Sequence, residues 1–583
     1  MSRDAEAAGQ APGTRPRISR DAGAVPRIAH AARPGIAPEA GKPAAGGGTR
    51  AGRVGLAFTA LSIAATIATG LAGPSAMEPV LPGRPGEPPW AFSFHLSPYV
   101  AVGLTAAALA AGTAGLGLCL HALRRGWTVS PRVVLAAGLI AAAVITLAPP
   151  FGSSDQLSYA AYGRMVITGH DPYLTTPAML ARLGDPVARA VQDWRGSPSV
   201  YGSLATAGQA LASWIGGDSA RVTVFVLSLL GLAAFAGTGL LLHLLTRGSR
   251  ERQLRAGLLW SLNPLLLQVL VAGAHVDSQA TAFAVAAIAV FALGLPRVWA
   301  RSGPAGPGAP PGVPAGPPPL RWLGVATAAG ALAGLASAVK LSFVLVVAGL
   351  AVAALLAWWP PPGSARSPGR WRPLALAVGG VTAGFVVTAA AALLPWGPQS
   401  VGPALRAGSY VSIGSPWRAV RSGLRLLVGE GSADSLVRAG AIVLAVALLA
   451  LFARPLRDLA RAAQLTVLAG ASCFVLGIAW LVAWPYVLPW YDGLGWALLA
   501  LLPWAPLPWA ALDWLLLAQT AALAFGYLPA RGIVLPAGLG WLRSVVRTGV
   551  TPIVLLAVAV TLVLLLWPHR PRRPPRAARR ARA

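Results

Sequence analysis

Residues 133–164 read VVLAAGLIAAAVITLAPPFGSSDQLSYAAYGR. The first seventeen carry no charge and are nearly long enough to cross the ~30 Å hydrocarbon core of a bilayer as a helix. The run closes at Pro149-Pro150-Phe151-Gly152, and the next charged residue is Asp155. Runs of the same kind recur from about residue 54 to about residue 567. A transmembrane β-barrel would instead show ~10-residue segments of alternating hydrophobicity, which are absent. The expected fold class is therefore an all-α polytopic membrane protein.

Composition agrees. Hydrophobic residues make up 55% of the 583 and charged residues only 11%, against roughly 25% charged in soluble chains. Mean hydropathy is +0.63. Several water-facing domains are excluded. The net charge of +29 does not mark a nucleic-acid binder, because the basic residues sit in the two ends and in short loops between apolar runs. That placement indicates topology and attraction to a lipid surface.

Fourteen spans are expected, near 54–72, 98–122, 133–149, 222–245, 256–273, 277–296, 322–339, 341–358, 373–395, 437–453, 464–484, 493–506, 508–527 and 550–567. They make one membrane domain over 53–567. Residues 1–52, rich in Ala, Gly, Pro and Arg without an apolar signal-like core, read as a disordered basic tail, and 568–583 as a second one. Residues 302–320, SGPAGPGAPPGVPAGPPPL, read as a flexible linker. An even number of spans puts both tails on one side. Counting them as cytoplasmic leaves 32 of the 47 basic residues inside. Two long loops, about 150–221 and 396–436, then lie outside, on the extracytoplasmic face.

Chemistry should sit there, since a carboxylate near a membrane is costly and marks a functional candidate. The 18 acidic residues include Asp155, Asp171, Asp277 and Asp492 at the outer edge. The stretch 154–164 reads as a helix with Asp155, Tyr159 and Tyr162 on one face and Arg164 about a quarter-turn aside. It should stop near Gly169, followed by a turn at His170-Asp171-Pro172-Tyr173. Asp185-Pro186 reads as an N-cap with proline at the first helical position. Two or three short helices lying at the membrane surface are expected in this loop. The plain alternative for Asp155 is a helix N-cap.

Asn263-Pro264 should kink the fifth span. His275 and Asp277, at its outer end, suit sugar hydroxyls or a phosphate, or simply cap the next helix. Lys340 falls at an outer turn, where it meets a lipid-linked phosphate or snorkels. Arg418, with Arg421 and Arg425, forms a basic cluster suited to phosphate or to lipid headgroups. Tyr491 and Asp492 follow Pro489-Trp490 in an aromatic belt. The two cysteines, Cys119 and Cys473, read as buried small hydrophobes, and no Cys/His metal spacing occurs.

In order, the pieces S-Y-A-A-Y-G-R (158–164), G-H-D-P-Y (169–173), S-V-Y-G (199–202), L-N-P-L (262–265), A-H-V-D (274–277), Lys340 and P-W-Y-D (489–492) resemble the GT-C glycosyltransferases that use lipid-phosphosugar donors. Among these, the likeness is to the actinobacterial polyprenyl-phosphomannose-dependent α-1,6-mannosyltransferases. The family commonly carries Gly-His-Asn-Asp where this chain has Gly273-Ala-His275-Val-Asp277, and a proline where Ser203 stands. The resemblance implies a GT-C-like helix bundle and an inverting transfer of mannose, or another hexose, from a polyprenyl-phosphate sugar to a glycan or glycolipid hydroxyl. It implies Asp155 as the catalytic base. It also implies a substrate-binding set of Tyr159, Tyr162, Arg164, His170, Asp171, Tyr173, His275, Asp277, Lys340, Arg418, Tyr491 and Asp492. No cofactor is expected, and a divalent metal, though compatible, has no support in the sequence. The competing class is a transporter or flippase, which should carry its polar groups at the midplane in paired halves rather than at one face.

Overall fold

The structure is a computed structural model that describes residues 47–300, 320–357, 371–461 and 463–567. The expected tails, apart from residues 47–52, and the linker up to residue 319 lie outside the described residues. Within them every regular element is helical, and the one strand-like contact is a bridge between Ser153 and Ala530.

In chain order the helices are α1 Gly47–Leu71, α2 Pro98–Arg124, α3 Pro131–Leu147, α4 Asp155–Ile167, α5 Pro177–Arg182, α6 Pro186–Arg189, α7 Ser203–Gly216, α8 Ala220–Leu245, α9 Arg250–Leu259, α10 Pro264–Leu266, α11 Asp277–Ala300, α12 Arg321–Val339, α13 Val344–Ala357 and α14 Trp371–Leu393. There follow α15 Gly402–Ala407, α16 Pro416–Val428, α17 Glu430–Ala460, α18 Leu465–Ala483, α19 Asp492–Leu499, α20 Trp509–Gly526 and α21 Thr551–Leu566. Eleven helices of the described residues are long and apolar enough to cross a membrane, and 131–147 and 341–357 are shorter apolar helices. The chain is a multi-pass membrane protein.

Local sequence sets the helix boundaries. Ser97 and Ser219 accept hydrogen bonds from Val100 and Val222 backbone N–H groups at the starts of α2 and α8, satisfying donors that a helix start leaves open. The break expected at Asn263-Pro264 is present. Proline cannot donate to the preceding turn, so α9 ends at Leu259. The Asn263 side chain then accepts from Leu265 and Leu266 N–H at 3.1 and 3.3 Å and starts α10, which runs into a π-helical turn, Leu267–Ala272.

The chain reversals gather in two sets. At one end Phe151 N–H donates to Ala272 O (2.9 Å), Gly152 N–H to Met77 O (2.8 Å), Gly202 N–H to Val339 O (3.1 Å), Ser412 N–H to Pro485 O (3.0 Å) and Ala530 N–H to Gly152 O (3.0 Å). At the other end Arg124 pairs with Asp513 at 3.3 Å, and Arg255 donates to Leu499 and Leu502 carbonyls, both at 2.9 Å. The first end carries the loops expected to be long and carries the candidate site.

Two expectations need correction. The span expected at 493–506 is helical only as α19, eight residues, about 12 Å at 1.5 Å per residue and under half a bilayer core. The segment still runs from the site end, where Trp490 packs on His275, to the Arg255 end, where the Leu499 and Leu502 carbonyls accept from Arg255; residues 484–491 precede it as extended chain and a 3-10 turn. The expected surface helices of the 150–221 loop are α4 to α7, and α4 is not superficial. Its residues Gln156 to Gly163 are all buried. Small residues permit this: a Cβ at Gly163 would stand 2.0 Å from the Gln209 carbonyl oxygen of α7, so α7 presses directly on the α4 backbone. The turn after α4 does fall at Gly169, with φ +79°, and Asp185 caps α6 through Ala188 N–H at 2.8 Å.

Candidate active site

Asp155 opens α4 as its first helical residue. The capping position belongs to Ser154, whose hydroxyl hydrogen-bonds Asp193 instead. The carboxylate of Asp155 is thus not spent as a helix cap, which removes the plain alternative. Its side chain is 15% exposed and faces His275, with Nδ1 3.8 Å from Oδ2, too long for a direct hydrogen bond. Burial pushes the Asp155 carboxyl up to about 7; neighbouring Asp193 adds to this, and Lys340 opposes it. Burial holds His275 well below its ordinary value, with Lys340 adding to the effect, so the imidazole is neutral and does not neutralise the aspartate.

The two tyrosines of α4 divide in role. Tyr159, one turn after Asp155, places its hydroxyl 3.3 Å from His275 Nδ1. Tyr201 donates to that hydroxyl at 3.3 Å, and the two rings meet edge to face at 5.0 Å. Tyr162 is spent on structure, donating to Ser197 O at 3.1 Å.

His275 and Asp277 follow Ala274, a non-glycine residue at φ +50°. That left-handed conformation is uncommon for residues with a Cβ. It turns the chain sharply between the π-helical turn and α11, where both side chains are buried. His275 stacks on Trp490, centroids 3.7 Å apart and planes 13° apart. Lys340 follows α12. Its Nζ lies 2.6 Å from Asp277 Oδ1 with the two side chains 13% and 3% exposed, and 3.4 Å from the centroid of the Tyr491 ring. This is a lysine drawn inward by a carboxylate and a π-face, not one snorkelling outward. Gly202 lets the Tyr201 segment reach this point, since a Cβ there would stand 2.2 Å from Ala338 O.

Asp155, Tyr159, His275, Asp277, Lys340 and Tyr491 therefore converge, from α4, the α10–α11 turn, the α12–α13 turn and the 3-10 turn before α19. Other members of the expected set do not. Arg164 stands nine residues from Asp155, and at 100° per residue that is the opposite helix face. It binds Asp185 at 2.6 Å and also pairs with Asp218. Arg164→Met is expected to lower stability by about 1–3 kcal/mol, since it strands Asp185, and a thermal melt checks this.

His170 contacts Thr168 Oγ1 at 3.1 Å. Asp171 accepts from Tyr173 N–H at 2.7 Å, and Tyr173 is buried with its hydroxyl 2.9 Å from that of Thr206. The 169–173 segment is a turn of which Pro172 and Tyr173 pack inward. Arg418 is exposed on α16, where neighbouring Arg421 and Arg425 pair with Asp434 and Glu430. Asp492 is wholly buried and accepts from Gln519 at 2.8 Å and Thr520 at 2.7 Å, so it ties α19 to α20.

Sequence reasoning missed Tyr201, Trp490, Asp193 and Trp194. Tyr201 and Trp490 stand inside motifs quoted above, beside the residues chosen. Asp193 and Trp194 follow α6 in no motif, and only the fold brings them to Asp155.

A family model described as "Alpha-(1->6)-mannopyranosyltransferase, N-terminal domain" matches residues 53–357. The chain is 28% identical over 412 residues to alpha-(1->6)-mannopyranosyltransferase B of Corynebacterium glutamicum, an alignment covering 68% of this chain and 62% of the relative. It is 32% identical over 139 residues to a probable alpha-(1->6)-mannopyranosyltransferase of Mycolicibacterium smegmatis, covering 22% and 24%. The chain thus spans less than two thirds of the length of these curated relatives. The archaeal oligosaccharyltransferase AglB from Archaeoglobus fulgidus, solved with an inhibitory peptide and a dolichol-phosphate, aligns over 73% of this chain and 56% of its own, at 13% identity and a TM-score of 0.31, too low to carry an argument. Asp155, His275, Asp277 and Lys340 all lie within residues 53–357, just over half of the chain, and by that match the chain belongs to the alpha-(1->6)-mannopyranosyltransferase family.

Proposed function

We propose that this protein is a GT-C-type glycosyltransferase that moves mannose, with inversion, from a polyprenyl-phosphate-mannose to a hydroxyl of a glycan or glycolipid acceptor. The observation that supports this most is the juxtaposition of an Asp155 carboxylate free of helix capping, facing His275, with a buried Lys340–Asp277 pair whose ammonium acts electrostatically on Asp155. Inversion needs those two functions on either side of the anomeric carbon. The acceptor oxygen attacks C1 as its proton passes to Asp155. The bond from C1 to the phosphate oxygen breaks, and the electron pair leaves with the phosphate, whose charge a cation stabilises. Lys340 is that cation; Asp277 and the Tyr491 ring hold it in place, and Tyr159 with His275 orients hydroxyls. The scheme routes no step through a cofactor.

The site end is proposed to face outward. The expected topology assigns 32 of the 47 basic residues to the inside, and Arg124 and Arg255, which are among them, lie at the end away from Asp155. Asp155, His275, Asp277 and Lys340 gather at one end, which also supports transfer over transport.

A base pushed up to about 7 must lose its proton to act. The transfer rate should fall about tenfold per pH unit below that value and level off above it. Asp193→Asn removes a negative neighbour that raises Asp155, so the midpoint should move to lower pH. Initial rates of labelled mannose transfer across pH 5–9, for the wild type and Asp193→Asn, test this. A flat profile would remove Asp155 as the base.

A further inference from the structure

Trp194 and Tyr410 take no part in the step just described, yet both stand beside it. Trp194 is 43% exposed and Tyr410 42%. Their rings lie within 7° of parallel, with centroids 6.4 Å apart. The Trp194 side chain lies close to the Asp155 carboxylate, whose charged form it favours, and its neighbour Asp193 is tied to α4 by Ser154 and by Ser158, which donates to the Asp193 carbonyl at 3.3 Å. From Tyr410 the row continues inward to Tyr486 at 5.8 Å, to Tyr491 at 6.4 Å and to Lys340, 3.4 Å from the Tyr491 centroid. One end of the row is exposed and stands beside the proton acceptor. The other end meets the ammonium.

Both outer rings are held in place. Trp194 has φ +61°, a conformation a bulky residue adopts only when its surroundings enforce it. On one side Gly532 N–H donates to Asp193 Oδ1 at 3.0 Å and Arg531 to Gln192 at 2.6 Å. On the other, Ala178 N–H donates to Arg195 O at 2.8 Å. Tyr410 sits on a segment fixed by Trp484 Nε1 to Gly408 O at 3.2 Å and by Ser412 to Val487 O at 3.1 Å. An interfacial aromatic belt accounts for exposed rings, but not for an indole that reaches back to a buried carboxylate from a strained backbone.

A pyranose has a face of C–H groups that rests on the electron-rich face of an aromatic ring, while its hydroxyls point outward from the edge. Trp and Tyr offer such faces with little conformational entropy to lose. We infer that Trp194 and Tyr410 form the acceptor subsite, on which a hexopyranose of the acceptor glycan stacks with a hydroxyl presented to Asp155. This rests on the transferase reading above and adds where the acceptor binds.

The test measures acceptor and donor KM and kcat for purified protein with polyprenyl-phosphate-mannose and an α-linked mannooligosaccharide. It also measures direct binding of that oligosaccharide by calorimetry. Tyr410→Ala should raise acceptor KM roughly 3- to 10-fold, with donor KM and kcat unchanged, and Tyr410→Trp should restore it. Trp194→Phe keeps a stacking face but loses the indole N–H, so it should lower kcat with little change in acceptor KM. Trp194→Ala should change both. Normal melting temperatures exclude misfolding. If the wild type transfers mannose while Tyr410→Ala and Trp194→Ala leave acceptor KM and oligosaccharide affinity unchanged, the subsite is overturned and the transferase reading stands. If the wild type transfers nothing but binds the oligosaccharide in a Trp194- and Tyr410-dependent way, the transferase reading fails and the subsite stands. Absence of both transfer and binding overturns both.

Discussion

Asp155→Asn is expected to insert and fold normally yet lose at least ~10²-fold in transfer rate, the lower range for removing a general base. The amide keeps the size of the carboxylate but cannot accept the acceptor's proton. Its melting temperature should equal or exceed that of the wild type. In the native protein the carboxylate is desolvated and stands near Asp193, both of which disfavour its charge, so a neutral replacement relieves a cost rather than adding one. Loss of activity without loss of stability separates a catalytic group from a structural one. Initial rates with labelled lipid-linked sugar and a thermal melt on one preparation give both numbers. Near-normal turnover would return Asp155 to a structural role and make Asp277 the next candidate.

The second large effect is expected at Lys340. Lys340→Met leaves Asp277 buried without its partner, 3% exposed and formerly 2.6 Å from the ammonium. Breaking a buried pair in this way costs about 3–5 kcal/mol, so the single variant should be strongly destabilised. Its inactivity alone would then say little. The double variant Lys340→Met with Asp277→Asn removes both charges and should recover most of the stability. It should remain without measurable transfer, because the leaving phosphate has lost its cation. Asp277→Asn alone keeps the ammonium and should fall less in rate than Asp155→Asn. A double variant that folds and turns over normally would show that Lys340 serves only to hold α11 against the α12–α13 turn.

What the sequence made legible followed from periodicity and local chemistry. Apolar runs placed most of the helices to within a few residues, though not the ends of α17 or the short α19; Asn263-Pro264 announced its break, and the i, i+4 spacing put Tyr159 under Asp155. Lys340 stood out as a lone charge between two apolar runs. What was not legible depended on partners distant in sequence. Arg164 looked free because Asp185 and Asp218 lie 21 and 54 residues away, and only the packing of α4 shows its face turned from Asp155. Asp492 looked like a surface group because its Trp and Tyr neighbours suit an interface. Gln519 and Thr520, 27 and 28 residues on, draw it inward. Trp194 is one of 21 tryptophans, and nothing local distinguishes it; its backbone angle and its contact with Asp155 exist only in the folded chain. The same holds for the pairing of His275 with Trp490, which joins two motifs more than two hundred residues apart.

The proposed role of the site around Asp155 and Lys340 is transfer of mannose from a lipid phosphate rather than movement of a lipid or solute across the bilayer. It is tested most directly by reconstituting the purified wild-type protein and Asp155→Asn into liposomes with radiolabelled polyprenyl-phosphate-mannose and a mannoside acceptor. The product is then read by glycosidase digestion for its anomeric configuration. From a β-linked donor, label should pass to the acceptor as an α-linked mannose with the wild type and not with Asp155→Asn. Label that crosses the bilayer still attached to its lipid, with no glycosylated acceptor formed, would contradict the account.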